Sequence, residues 1–326
     1  MAPNVLIFGA GAIGSIYVYI LDQAGANVTA VCRSNYQAAK EHGFEIMSEK
    51  FGHVKVKSSV VRTVEEASGQ EWDYVLVCSK AMCGSRPTTA EILKPVVGAK
   101  TAIVLLQNGI SIEEEYIEAY PSNPVISVVV YLPATQLASG IIKMGDLEYL
   151  EVGTYPSDAP SSHKEAASAF CDLIKAGKGH AILYDDVQPR RWSKLIVNAP
   201  WNPLCALARS TDVAFMNASP QATDVVWSVM KEIVAIANAL GYAEINEEEA
   251  AFQLGRAKAR IPDKGIEPSM LADIWLGRAM EVEAIVGNTV RIAEKKGVPA
   301  PGLTMIYVLT KALDESNARQ RILKKL

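Results

Sequence analysis

The chain is poor in the residues that build disulfide frameworks and metal centres. Its 326 residues include only four histidines and five cysteines, and no two cysteines have C-x-x-C spacing. An odd number of unpaired cysteines favours reduced, buried thiols over a disulfide framework or a zinc site, and we identify no other metal site. The five thiols are Cys32, Cys78, Cys83, Cys171 and Cys205.

The chain also lacks an excess of basic residues and any long apolar run. Its 32 Lys and Arg against 36 Asp and Glu give a formal charge of −4, which provides no field to attract nucleic acid or an anionic membrane. No apolar stretch approaches the ~20 residues that span a bilayer. The start has no basic segment followed by a cleavage site, so we expect a cytosolic protein whose partner is a small molecule.

The hydrophobic pattern changes once along the chain. Short apolar runs such as "NVLIFG", "NVTAVC", "DYVLVCS" and "TAIVLLQ" alternate with helical segments, which predicts a parallel sheet flanked by helices. "GIIKMGDLEYLEVGTY" predicts a hairpin turning at Gly145-Asp146. From Val187 the period is helical and includes one long helix from about Ser269 to Lys296. We therefore predict an α/β domain over 1–185 and an all-α domain over 186–326.

A glycine-rich segment, "VLIFGAGAIGSIYVYIL", follows the first predicted strand and begins the first helix. Gly9, Gly11 and Gly14 have G-x-G-x-x-G spacing. These glycines allow a tight turn and let the backbone approach a pyrophosphate, which then lies at the N-terminus of the helix. The alternative is a glycine turn that only packs. The context favours a Rossmann-type dinucleotide site. Its predicted contacts are Gly9, Ala10, Gly11, Ala12, Ile13 and Gly14.

The end of the second strand indicates which dinucleotide is bound. NAD sites carry an acidic residue about 20 positions after the glycines, to hold the ribose 2′-hydroxyl. Here the strand ends "VCRSN" instead, and Arg33 with Ser34 suits a 2′-phosphate. Lys80, after a neighbouring strand, could reach the same region, although either cation alone could be a surface residue. Residues 1–185 are therefore predicted to bind NADP(H).

One apolar segment of the helical half, "SKLIVNAPWNPLCAL", carries three polar residues at intervals of four. In a helix, Lys194, Asn198 and Asn202 fall within an arc of roughly 80°. A lysine and two amides are costly to bury without partners, so this polar stripe should face a ligand. Histidines are absent from this half, which makes Lys194 the candidate proton donor. Burial would lower its pKa from ~10.4 toward the working pH, or it could act only as a cation that polarises a carbonyl.

A second apolar segment, "SMLADIWLGRAMEVEAIVGNTV", contains two carboxylates. Glu281 and Glu283 lie among aliphatic residues, so at least one is expected to reach the interior. The alternative for each is a salt bridge at the rim. Ser269 begins the segment and could be no more than an N-cap.

Taken together, these motifs resemble the ketopantoate reductase (2-dehydropantoate 2-reductase) family. The resemblance rests on four separated motifs in the same order and on a similar ending. They are GAGAIG, "LLQNG" at 105–109, the K-x-x-x-N-x-x-x-N stripe followed by Pro203-Leu204, the S-x11-E spacing from Ser269 to Glu281, and "GVPAPGLTMIYVLTKAL".

The resemblance implies an NADPH-dependent reduction of 2-dehydropantoate, or a related 2-oxo acid, to the (R)-2-hydroxy acid. The family's catalytic lysine and glutamate match Lys194, the general acid, and Glu281, which positions the lysine and binds the substrate hydroxyl. The matching substrate residues are Asn108, Asn198, Asn202 and Ser269, and Asn108 would also contact the nicotinamide. The same family implies a step in pantothenate biosynthesis.

Two residues depart from the family pattern and leave the substrate open. Trp201 is bulkier than expected, and Asp212 replaces an asparagine, where a carboxylate would disfavour a second anion. A reductase of the same fold acting on another ketone or imine is one alternative, and a non-catalytic NADP(H) sensor is another. Lys194 and Glu281 argue against the sensor, since a pure binder needs no acid pair. The sequence leaves open whether the protein is a monomer or a homodimer.

Overall fold

The structure, a computed structural model, describes residues 2–323. The chain divides into two compact units. The first comprises the chain up to Asn108 together with Ile112–Val187, and the second comprises Gly109–Ser111 and the chain from Gln188 onward. The sequence placed the boundary between 185 and 186, and it did not predict that the second unit takes up Gly109–Ser111.

The first unit is built on an eight-stranded sheet and a four-stranded sheet. The strands of the larger sheet, in spatial order, are β12 (Ala181–Leu183), β11 (Tyr149–Thr154), β8 (Val125–Tyr131), β7 (Ala102–Leu105), β6 (Tyr74–Val77), β1 (Asn4–Phe8), β2 (Asn27–Val31) and β5 (Ser59–Val61). All neighbours are parallel except β8 and β11. The smaller sheet has the order β4 (Gly52–Val56), β3 (Phe44–Ser48), β10 (Ile141–Met144) and β9 (Ala134–Ala138).

The central strands of the larger sheet are apolar and buried along their whole length. "YVLV" of β6 and "AIVL" of β7 are fully buried, as expected for parallel strands. The helices of this unit are α1 (Ala12–Gln23), α2 (Tyr36–His42), α3 (Thr89–Leu93), α4 (Glu114–Ala119) and α5 (Ser161–Ala176), with a 3₁₀ turn at Glu65–Ala67. The predicted Rossmann-type arrangement is therefore confirmed.

The predicted hairpin at Gly145-Asp146 is wrong. β10 pairs with β3 and β9 in the smaller sheet, whereas β11 pairs with β8 and β12 in the larger one. The two strands differ in burial, which explains their separation. β11 is buried along almost all of its length and completes a covered sheet, while β10 alternates between buried and more exposed positions.

The second unit is helical. Its elements are α6 (Gln188–Ala208), α7 (Asp212–Ala218), α8 (Ala222–Ala239), α9 (Glu247–Lys258), α10 (Ser269–Trp275), a π-helix (Glu283–Gly287), α11 (Asn288–Lys296) and α12 (Pro301–Leu323). α6 contains Pro200 and Pro203, which deprive the carbonyls of Ile196 and Ala199 of their helical N–H partners. Within residues 2–323, no helix combines the length and apolarity needed to cross a membrane.

The long helix predicted from Ser269 to Lys296 is interrupted. α10 ends at Trp275, and Gly277, just after the C-cap Leu276, adopts the left-handed φ of +61° that terminates helices. The helix resumes as one π-helical turn before α11. The apolar period continues across the break because the intervening residues Met280 and Val282 are also buried, so periodicity alone could not reveal it.

All five cysteines are free, and Cys32, Cys171 and Cys205 are buried. Burial raises the pKa of Cys32 and of Cys205 to about 12 and that of Cys171 to about 11. These three thiols are therefore protonated at neutral pH. Cys78 and Cys83 are half-buried, so the expectation of buried thiols holds for three of the five.

Candidate active site

The three glycines of the turn between β1 and α1 differ in how much space a side chain would have. Gly9 adopts φ +98°, and a Cβ there would lie 2.7 Å from the Ser79 nitrogen, while a Cβ on Gly14 would collide with the Gly9 carbonyl. At Gly11 a Cβ would meet nothing within 4 Å. Gly11 also precedes α1 without a capping side chain, so the first N–H groups of the helix can bind an anion. The turn thus fits a dinucleotide pyrophosphate.

This difference between the glycines predicts opposite effects of two alanine substitutions. Gly14→Ala should lower the melting temperature by several degrees, because helix and strand backbones must separate. Gly11→Ala should leave the melting temperature within a few degrees of wild type but weaken NADPH binding by at least about tenfold, since the methyl group occupies the phosphate's space. Thermal unfolding and NADPH titration of both variants test this. Unchanged NADPH affinity in Gly11→Ala would place the pyrophosphate elsewhere.

The loop after β2 is held against the glycine-rich turn by a residue that the sequence analysis did not identify. Asn35 is buried, and its Nδ2 donates to the Ala10 carbonyl at 2.7 Å. Its amide also pairs with Gln136, at 3.1 and 2.8 Å. Arg33 and Ser34 precede it and are exposed. The predicted 2′-phosphate residues are therefore carried on a loop fixed to the predicted pyrophosphate turn.

The other predicted cofactor residues follow strands on the opposite side of β1. Lys80 lies beyond β6, which is two strand spacings from β2, or ~10 Å. Asn108 follows β7. Gln107 Nε2 donates to the Ser79 carbonyl at 2.8 Å and so links the ends of β6 and β7. The contacts of Lys80 and Asn108 with a cofactor stay predictions.

The polar stripe lies on α6 as predicted, and one of its members bonds a residue from a distant segment. Lys194 and Asn198 are half-buried, and Asn202 is 5% exposed. Asn202 Oδ1 accepts from Ser269 Oγ at 2.9 Å and from the Met270 nitrogen at 3.2 Å. Ser269 is therefore not an N-cap, a position that Pro268 takes. Because Asn202 Oδ1 is occupied, its Nδ2 is the atom that can donate to a ligand.

The two candidate glutamates have different environments. Glu283 accepts from Tyr307 at 3.1 Å and pairs with Arg291 at 2.9 Å and Lys311 at 2.8 Å. Partial burial disfavours its charged form, but the hydrogen bonds from Lys311 and Arg291 outweigh burial and hold the pKa of Glu283 below its ordinary value. Glu281 is 7% exposed and directly precedes Val282 and the π-helix. Glu283 therefore forms salt bridges at the rim, as the alternative expected, and Glu281 is a buried carboxylate.

The residues that depart from the family pattern have structural roles. Trp201 is buried and packs edge-on against Phe215, with ring centroids 6.4 Å apart. Asp212 Oδ1 accepts from the nitrogens of Val213 (2.8 Å) and Ile266 (2.7 Å), while its Oδ2 accepts from Arg260 Nε at 3.0 Å. Arg260 compensates the charge of Asp212, which weakens the expected repulsion of an anionic substrate.

The segment directly after Asn108 is bound by the helical unit. Arg191 Nη1 donates to the Gly109 carbonyl at 3.1 Å, and Ile110 donates its N–H to the Ala284 carbonyl at 2.9 Å. Asn288 Nδ2 donates to the Ile110 carbonyl at 2.7 Å. Gly109 adopts φ +107°, and a Cβ there would collide with the Ala284 carbonyl. The glycine of "LLQNG" is therefore required by this close backbone approach.

Comparison with known proteins identifies the family. The protein-family model described as "Ketopantoate reductase PanE/ApbA" matches residues 5–157. The family model of the C-terminal domain matches residues 186–314. The chain belongs to the ketopantoate reductase family. A crystal structure of 2-dehydropantoate 2-reductase from Methylococcus capsulatus is 30% identical, with a TM-score of 0.83 and coverage of 96% of this chain and 97% of that one.

Sequence relatives agree with the family assignment. A 2-dehydropantoate 2-reductase of Nostoc sp. is 27% identical and covers 95% of each chain. An uncharacterized protein of Saccharomyces cerevisiae is 30% identical over 94% of this chain and 92% of its own length. Membership makes the protein an oxidoreductase that uses a nicotinamide cofactor and acts on a carbonyl and hydroxyl pair.

Proposed function

We propose that the protein reduces 2-dehydropantoate, or a closely related 2-oxo acid, to the (R)-2-hydroxy acid with NADPH, as a step of pantothenate biosynthesis. The observation that carries this proposal is the α6 stripe of Lys194, Asn198 and Asn202, joined to Ser269 through the 2.9 Å hydrogen bond. This arrangement offers one cation, several neutral donors and a hydroxyl, which suits a substrate with a carbonyl and a carboxylate.

Each residue has a distinct role in the proposed reaction. The hydride for the 2-oxo carbon would come from NADPH once it is bound. Lys194 donates a proton to the carbonyl oxygen, which would otherwise become an alkoxide. Glu281 orients the Lys194 ammonium and binds the substrate hydroxyl. Asn198, Asn202 and Asn108 hold the substrate, with Asn108 also at the nicotinamide. Ser269 helps to bind the carboxylate through Asn202, because its hydroxyl engages Asn202 Oδ1 and leaves Nδ2 to donate to the ligand.

The preference for NADPH is assigned to the loop after β2. Arg33 is exposed there, and its guanidinium has no ion pair among the described residues, so it can bind the 2′-phosphate. Arg33→Ala should weaken NADPH binding by about thirtyfold, the size of one or two charge-assisted hydrogen bonds, and change NADH binding by less than about threefold. Fluorescence titration with both cofactors tests this, and equal losses would refute the 2′-phosphate assignment.

The substrate is tested by following NADPH oxidation at the nicotinamide absorbance, with 2-dehydropantoate beside other 2-oxo acids, ketones and cyclic imines. The proposal expects the highest kcat/KM for 2-dehydropantoate or a near relative. Activity only on other ketones or imines would keep the Lys194 chemistry but assign another substrate class. NADPH binding without any oxidation would favour the sensor. The small-molecule partner, the homodimer and the cytosolic location stay predictions.

A further inference from the structure

A second arginine, which the sequence did not predict as a cofactor residue, lies beside the predicted 2′-phosphate loop. Arg62 directly follows β5, the edge strand paired with β2. The Cys32 N–H donates to the Val61 carbonyl at 2.9 Å, so the ends of the two strands remain in register where the chain turns away. Arg62 therefore emerges at the same edge of the sheet as Arg33, on the immediately neighbouring strand.

The Arg62 guanidinium is held in place by an aromatic ring of the same loop. Its central carbon lies 4.0 Å from the centroid of the Tyr36 ring, within the range of a cation–π contact. Tyr36 begins α2, and its N–H donates to the Arg33 carbonyl at 3.4 Å. Lys40, one turn further, donates from Nζ to the Tyr36 hydroxyl at 3.1 Å. Tyr36 thus places two cations next to the loop that carries Arg33.

Arg33, Lys40 and Arg62 make no ion pair with a carboxylate in the part of the chain that the structure describes. Glu66 Oε2 accepts from the Arg62 backbone N–H at 3.0 Å and leaves the guanidinium donors available. A folded protein gains little from grouping exposed like charges, because they repel one another. A bound dianion would remove that cost.

The strand order separates Arg62 from the other candidate cation. β5 adjoins β2 directly, whereas Lys80 follows β6 on the far side of β1. A phosphate bound by Arg33 at the end of β2 is therefore one strand spacing from Arg62 and two from Lys80, or ~5 Å against ~10 Å. A guanidinium also suits phosphate better than an ammonium, because its planar donors can bind two oxygens together.

We infer that Arg62, oriented by the Tyr36 ring, is a second determinant of 2′-phosphate recognition and acts with Arg33 on the phosphate of NADPH. Tyr36 is a positioning residue, since its ring fixes the guanidinium. The inference deepens the proposed function and rests on its NADPH preference. It does not depend on the substrate or on the role of Lys194.

The test uses two nucleotide fragments, so that catalysis plays no part in the readout. Adenosine 2′,5′-bisphosphate and adenosine 5′-monophosphate differ only in the 2′-phosphate, and their affinities for the full-length protein are measured by calorimetry. Arg62→Ala should weaken binding of the bisphosphate by about tenfold and that of the monophosphate by less than about twofold. Arg62→Lys should recover part of the loss.

Four further variants distinguish recognition of the phosphate by Arg62 from a general loss of positive charge or of packing. Lys57→Ala removes a cation at the opposite end of the same strand, and it should leave both affinities unchanged. Tyr36→Phe keeps the ring and should retain discrimination between the fragments, whereas Tyr36→Leu should lose part of it. Lys80→Ala should affect the bisphosphate less than Arg62→Ala does.

Three results would overturn the inference. Equal weakening of both fragments by Arg62→Ala would mean that Arg62 shapes the adenosine site without reading the phosphate. No weakening at all would leave the Arg62–Tyr36 contact a packing feature. A wild-type protein that does not discriminate between the fragments would exclude both arginines as phosphate residues. In that case reduction of a 2-oxo acid with either NADH or NADPH would show that the reductase proposal survives, and no reduction with either cofactor would show that both proposals fail.

Discussion

Lys194→Ala is expected to lower kcat by about thousandfold, within the range that a general acid contributes, while the Kd for NADPH changes by less than about threefold. Without the ammonium, hydride transfer would leave an unprotonated alkoxide. The cofactor should still bind, since its predicted contacts lie in the glycine-rich turn and the loop after β2. Steady-state kinetics with the best substrate and NADPH titration provide the two measurements.

Lys194→Arg distinguishes a lysine that donates a proton from one that only polarises the carbonyl by its positive charge. A guanidinium keeps the positive charge but holds its proton too tightly to donate it at neutral pH. If Lys194 is the acid, the arginine variant should be nearly as inactive as the alanine variant. Activity close to wild type in Lys194→Arg would show that the residue only polarises the carbonyl. Lys231→Ala, which removes an exposed lysine of α8 in the same unit, is the control and should retain kcat.

The second large effect is expected at Glu281, with Glu283 as its matched control two residues away. Glu281→Gln should lower kcat by about hundredfold, because the neutral amide no longer holds the Lys194 ammonium in a reactive orientation. Its melting temperature should stay within a few degrees of wild type. Glu283→Gln should instead keep kcat, because its carboxylate is engaged by Arg291, Lys311 and Tyr307. Comparable loss of kcat in both variants would contradict the separate roles.

The difference in free energy of unfolding between wild type and Glu283→Gln should depend on pH. The pKa of Glu283 is lowered in the folded protein, so its stabilising effect is complete above the ordinary glutamate pKa of about 4.3. This stabilisation is lost as the pH falls through the lowered pKa of Glu283 in the folded protein. At neutral pH the variant should lose about 1 kcal/mol in free energy of unfolding, given that the pair is partly exposed. Denaturant titrations across acid pH should show the difference between variant and wild type disappearing.

The sequence predicts the architecture well where one physical signal dominates. Continuous apolar strands alternating with helices predict a parallel sheet, and Gly9, Gly11 and Gly14 predict the turn before α1. The same signals fail where the partner of an element lies far along the chain. β10 and β11 are only five residues apart, yet they belong to different sheets, because burial on distant surfaces outweighs the local turn at Gly145-Asp146.

The candidate site likewise has features that local spacing predicts and features that only the fold reveals. The four-residue spacing of Lys194, Asn198 and Asn202 is a local property, so their shared face on α6 follows from helix geometry. The bond from Ser269 to Asn202 joins residues 67 positions apart. Asn35 and Arg62 were missed because their significance depends on strand order, which a single sequence does not state. Buried amides and cations at the ends of neighbouring strands are therefore best sought after the topology is known.

Following the hydride from NADPH to the product tests the proposed reductase activity most directly. NADPH carrying deuterium at both C4 positions of the nicotinamide is incubated with 2-dehydropantoate and the wild-type protein, and the product is analysed by NMR and mass spectrometry. The expected product is an (R)-2-hydroxy acid with deuterium at C2, formed at a rate that falls about thousandfold in Lys194→Ala. Tight NADPH binding without deuterium transfer to this or any other 2-oxo acid would contradict the proposed activity.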